Sequence, residues 1–140
     1  MVDKTLVAAK TAAIRDAVRR IRETLPSDVE AFLEDRTARE VVTLNLFMAI
    51  QEAIALATHW LADAGWDVPQ TQADVFSALC AHQVIDPDLS ERLRSAAGLR
   101  NLIAHQYGVL DFRRIFAIAS GDLDDLLALC RRLAQLAGSA

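Results

Sequence analysis

The 28 residues from Thr37 to Ala64 contain neither proline nor glycine, and they constrain the chain more than any other segment. Without a breaker the run is helical, and a helix of that length spans about 40 Å. Val41, Leu44, Met48, Ile54, Thr58 and Leu61 lie along one side of it. Val42, Leu46, Phe47 and Ile50 widen the apolar stripe beyond what one neighbouring helix covers. The segment is therefore expected at the centre of a helical bundle or of a dimer. Thr37-Ala38-Arg39-Glu40 has capping-box spacing at its start, and Gly65 supplies the stop.

The flanking segments carry the same 3.6-residue period. Ile14, Ala17, Val18, Ile21 and Leu25 give a first helix over about residues 3–24, ended by Pro26. Ser27-Asp28-Val29-Glu30 repeats the capping-box spacing before a short turn through Phe32 and Leu33. Trp66 to Pro69 reads as a loop, after which Thr71 caps a helix bearing Val75, Phe76, Leu79 and Cys80. Asp86-Pro87 opens the next, with Leu89, Leu93, Ala96, Ala97 and Leu99 on one side. Asp111 caps a segment with Phe112, Ile115 and Phe116, and Gly121-Asp122 breaks it before a last helix carrying Leu123, Leu126, Leu127, Cys130, Leu133 and Ala137. Short connections predict an all-α, antiparallel bundle of four to six helices, and 140 residues suit one domain over 1–140.

Composition narrows the function classes. A hydrophobic share of 53% is too high for disorder, and alanine, the best helix former, makes up much of it. The net charge of −4 argues against a protein that coats long nucleic acid, because phosphate neutralisation supplies most of that affinity. It leaves room for an RNA enzyme touching a few phosphates. Arg15, Arg19 and Arg22 share one face of the first helix; this reads first as a solvated face, with a phosphate-facing stripe as the alternative. Cys80 and Cys130 lack the spacing of a disulfide framework or a metal site and read as reduced core cysteines. With no signal-peptide run and no stretch of about 18 uncharged apolar residues, a cytoplasmic protein without a membrane span is expected.

The chemistry-bearing string is Arg100-Asn101-Leu102-Ile103-Ala104-His105-Gln106-Tyr107. Imidazole titrates near neutrality and suits proton transfer at a ribose 2′-hydroxyl, while a guanidinium fork suits the charge that builds on phosphorus. Arg100 and His105 stand five apart, about 140° around a helix, so they do not share a face. The arginine reaches around the axis, the helix loosens, or a second chain completes the site. Asn101 and His105, four apart, are stacked neighbours; the amide is placed to orient the imidazole or to bind a phosphate oxygen. From residue types alone a histidine ending a helix also serves to satisfy terminal carbonyls.

The exact string resembles the signature of HEPN ribonucleases, specifically the HepT-like toxins. Arg39 to Leu46, the run Ala49-Ile50-Gln51-Glu52-Ala53-Ile54, Gly65-Trp66, Val68-Pro69 and Leu99 to Tyr107 extend the likeness over about residues 27–137. Residues 1–26 are its least diagnostic part. The resemblance implies a dimeric, metal-independent endoribonuclease toxin of a toxin–antitoxin pair, which needs no cofactor. Its RNA substrate is cleaved by 2′-hydroxyl attack, with the Arg and His of both protomers lining a shared cleft. It implies a minimal nucleotidyltransferase antitoxin as partner, which neutralises the toxin by adenylylating (AMPylating) the motif tyrosine. Carried over by position, Arg100 stabilises the transition state, His105 is general acid or base, Asn101 is auxiliary and Tyr107, the chain's only tyrosine, is the modification site. Gln106 departs from the acidic residue many relatives carry there, which bears on how the partner reads the motif. The alternative reading is a non-catalytic helical partner, or a substrate-presenting subunit, of such a nucleotidyltransferase.

Other candidates read more plainly. His59 and His82 lie on different helices without a carboxylate at metal-pair spacing. Asp122, Asp124 and Asp125 open a helix, where negative charge complements the dipole. Trp60 and Trp66 read as packing residues, with base stacking as the alternative.

Overall fold

The computed structural model describes residues 2–138. Among them are seven α-helices, one 3-10 turn and no strand. The helices are α1 (Lys4–Thr24), α2 (Val29–Glu34), α3 (Arg36–Asp63), α4 (Gln72–Ala81), α5 (Pro87–His105), α6 (Phe112–Gly121) and α7 (Leu123–Gly138), with the 3-10 turn at Tyr107–Val109 between α5 and α6. Six of them are ten residues or longer, and α2 is the short turn through Phe32.

The long segment does occupy the centre: α3 touches every other helix. Its buried side differs from the stripe expected of it. Leu44 and Met48 are 58% and 48% exposed, whereas Val42, Leu46, Ile50, Leu56 and Leu61 are essentially inaccessible. The reason lies in a ladder of alanines. Ala49, Ala53 and Ala57 are fully buried at successive four-residue steps, and small side chains let neighbouring helices approach closely on that side. By length and composition α3 is apolar enough to cross a membrane, but half of its most apolar window is buried within the bundle.

Most helix starts follow the sequence, and two do not. Asp3, Thr71, Asp86 and Asp111 accept backbone N–H groups of the first turns they precede, each such cap contributing about 0.5–2 kcal/mol. At α2 the cap is Asp28, which accepts from the Ala31 N–H at 2.8 Å, rather than Ser27. At α3 it is Asp35, accepting from the Ala38 N–H at 3.0 Å, rather than Thr37. A carboxylate outcompetes a hydroxyl there because it also meets the positive end of the helix dipole. Glu40, expected to close the capping box, instead accepts from Arg36 at 2.8 Å. Asp35 thus ends α2 and begins α3, which leaves a one-residue corner between them.

Contacts at both ends of α5 set it against the core. The Ser90 hydroxyl donates to the Phe76 carbonyl at 3.2 Å, tying α5 to α4. After Gln106 the backbone turns through Tyr107–Val109 and enters α6, whose Phe112 meets Phe32 edge-on at 6.5 Å. Phe32 is fully buried, so the turn after the motif rests on the core.

Candidate functional site

Arg100 is half-buried and held from three directions. Its Nε donates to Gln51 Oε1 at 2.7 Å, its Nη1 donates to Asn101 Oδ1 at 2.9 Å, and its guanidinium carbon lies 5.0 Å from the Phe47 ring centre. Phe47 and Gln51 are four residues apart on α3, one above the other, so α3 offers an aromatic face and an amide oxygen together. The cation–π contact adds about 0.5–2 kcal/mol depending on desolvation. Two of the five guanidinium N–H groups are used in these bonds, and the others carry no partner among the described residues. A fixed cation with unused donors is suited to a phosphate oxygen.

His105 is the last residue of α5 and is exposed, with no hydrogen-bond partner among the described residues. The helix stays regular through it, and the Gln106 N–H still bonds the Leu102 carbonyl at 2.8 Å. The loosening considered from the sequence therefore does not occur. Arg100 turns inward to α3 while His105 faces outward, and Asn101 turns its oxygen to Arg100 rather than to the imidazole.

Tyr107 is 46% exposed in the 3-10 turn, its ring edge-on to Phe112 at 6.3 Å. Arg39 covers the same Phe112 ring at 5.5 Å and donates to the Leu33 carbonyl, so an aromatic stack capped by a cation supports the turn. Arg36 is held in its charged form chiefly by Glu40, with Tyr107 adding a smaller effect of the same sign. Beside Tyr107 lies an open groove of about 260 Å³ between α3 and the end of α5, bordered by Glu40, Thr43, Leu44, Phe47 and Ile103.

The sequence reading missed Gln51 and Phe47 as the residues that hold Arg100. The available signal was a glutamine in the middle of α3, four residues after an aromatic and so on the same face of the helix. The other histidines and Trp60 lie away from the motif string in sequence. His82 stacks on Trp66 with ring centres 3.8 Å apart, His59 is exposed, and Trp60 is 6% exposed in the core. Among the described residues no group of three or more His, Cys, Asp or Glu side chains is arranged to hold a metal.

The all-helical bundle, with Arg100 and His105 near the end of one long helix packed on another, is that of the HEPN toxins among solved structures. A family model described as Ribonuclease HepT-like matches residues 14–133, and the chain belongs to that family. It is similar to the mRNA nuclease HepT of Shewanella oneidensis, at 28% identity over 120 residues, 86% of this chain and 90% of that protein. It is also 28% identical over 83 residues to the tRNA nuclease HepT of Aphanizomenon flos-aquae, covering 59% of this chain and 56% of that protein. A solved structure of a tri-AMPylated Shewanella oneidensis HEPN toxin in complex with MNT antitoxin matches with a TM-score of 0.85 and 27% identity, over 95% of this chain and 98% of that one.

Proposed function

We propose that this HepT-like ribonuclease is the toxin of a toxin–antitoxin pair, cleaving RNA in the cytoplasm at a site completed by two protomers, with Arg100 supplied by one and His105 by the other. The observation that carries this reading is the divergence of the two side chains: Arg100 is bonded inward to Gln51 while His105, five residues on along an unbroken helix, is exposed and unpartnered. A two-fold related copy supplies the missing half of each site. Leu44 and Met48, large apolar residues exposed on α3 near Arg100, offer the surface for that copy.

In the reaction, neutral His105 takes the proton from a ribose 2′-hydroxyl. The 2′ oxygen bonds to phosphorus, the bond from phosphorus to the 5′ oxygen breaks, and the leaving oxygen receives a proton from the imidazolium. The products are a 2′,3′-cyclic phosphate and a free 5′-hydroxyl. Arg100, already oriented by Gln51 and Phe47, meets the charge that grows on the equatorial oxygens without reorganising. Asn101 steadies Arg100 through its oxygen.

Control follows from Tyr107. Its exposed position two residues beyond His105 suits attack on the α-phosphorus of ATP bound to a nucleotidyltransferase antitoxin, releasing pyrophosphate. The added adenylate places a negative charge where the RNA phosphate has to sit. The AMPylated state of the Shewanella toxin supports this assignment. The test is expression of the chain in a bacterial host without its partner: growth arrest is expected, and His105→Ala should relieve it with the protein still folded. Arrest that persists in the variant would remove His105 from the mechanism.

A further inference from the structure

Adjoining the Arg100 anchor is a second groove, of about 350 Å³, between α3 and the segment leading into α4. We propose that this groove is a subsite for one unpaired nucleobase of the RNA, next to the phosphate held by Arg100; the proposal rests on the ribonuclease reading above. Its floor is apolar, formed by Ile54 and Val75, which are 4% and 2% exposed. Its walls carry Gln51, His59, Gln70 and Gln72.

Part of the hydrogen-bonding capacity of those walls is uncommitted, although Thr58 donates to the Ile54 carbonyl and Thr71 accepts from the Asp74 N–H. Gln51 gives its oxygen to Arg100, which leaves its amide N–H groups as donors without a partner among the described residues. Gln72 Oε1 is buried and accepts from nothing among the described residues. A buried acceptor left unpaired is unfavourable, and a donor arriving with a ligand in the groove would satisfy it.

The ligand class follows from what lines the groove. No Lys or Arg borders it, so it is not built for phosphate. Donor and acceptor amides over an apolar floor match the edge and face of a base splayed from a single strand. Its volume lies at the small end of the roughly 300–1,000 Å³ usual for ligand pockets, which suits one base and not a duplex. Gln51 links the two sites: the residue that fixes Arg100 on the phosphate also faces the neighbouring base.

The test uses full-length protein carrying His105→Ala, which binds RNA without cutting it, and short oligo-A, oligo-C, oligo-G and oligo-U probes followed by fluorescence anisotropy. One base should be preferred, and adding Gln72→Met should reduce that preference by about tenfold while binding to an abasic oligonucleotide stays unchanged. Gln70→Ala, at an exposed position that does not threaten folding, should weaken the preference in the same sense. Equal binding of all four probes, no binding, or a preference that both variants leave intact would overturn the subsite. Cleavage of the same probes by the unmodified protein is scored separately. Cleavage without base preference removes only the subsite, and base-selective binding without cleavage removes only the ribonuclease reading.

Discussion

Gln51 accepts a 2.7 Å hydrogen bond from Arg100 Nε, so the cation carried by α5 is aimed by a residue of α3. The bond crosses the seam between the two helices, and Phe47 closes the same cradle with its ring face. Orientation of Arg100 is therefore a property of helix packing and not of the motif string alone.

Gln51→Met removes the acceptor while nearly preserving volume. It should lower kcat/KM for RNA by about 10–100-fold, with the loss mainly in kcat, because a wandering guanidinium fails the transition state more than the ground state. Gln51→Glu, which keeps an acceptor oxygen, should recover part of the rate. Steady-state kinetics on a fluorescent oligonucleotide decide the point; wild-type rates in Gln51→Met would remove the positioning role.

The exposed Leu44 and Met48 bear on assembly. If the active site is completed by a second protomer as proposed, Leu44→Asp combined with Met48→Asp should leave the chain monomeric in analytical ultracentrifugation and abolish cleavage, with the circular-dichroism spectrum unchanged. Both side chains are already exposed, so the core loses nothing in the substitution.

The two cysteines should separate by reactivity. Cys130 is fully buried, and burial raises its thiol above the usual range, with only partial relief from the Thr11 hydroxyl. A raised thiol pKa keeps the group protonated through neutral pH, and the thiolate is the reactive form. Cys80 is only half-buried. Near pH 7.5 a thiol reagent should therefore label Cys80 first and reach Cys130 only on unfolding, as peptide mapping by mass spectrometry would show.

Tyr107 should be the acceptor in control by the antitoxin. If the proposed control is right, intact mass of the chain co-expressed with a nucleotidyltransferase encoded beside it should rise by whole adenylate units, and Tyr107→Phe should abolish the rise. An unchanged mass beside an active partner would rule out adenylylation as the control.

The helices were legible because their signals are local: aspartate caps, Asp86-Pro87, Gly65 at a φ of +78° and the apolar period. The caps at Asp28 and Asp35 are not legible in the sequence because Ser27 and Thr37 fit the same spacing, and only the folded geometry shows which oxygen reaches the amide. Which side of α3 is buried was not legible either. Leucine and methionine outrank alanine in any apolar stripe, yet close helix packing favours the alanine ladder and leaves Leu44 and Met48 outside. The motif was legible as a string, whereas its cradle was not, because Gln51 and Arg100 are 49 positions apart in sequence.

In the proposed assembly each site takes Arg100 from one protomer and His105 from the other. Co-expression of Arg100→Ala and His105→Ala chains with different affinity tags allows the mixed dimer to be isolated. Each parent alone should be inactive. The mixed dimer should regain about half of wild-type cleavage, since a two-fold assembly leaves one of its two sites intact. A mixed dimer as inactive as either parent would contradict a shared site, because both residues of each site would then come from the same chain.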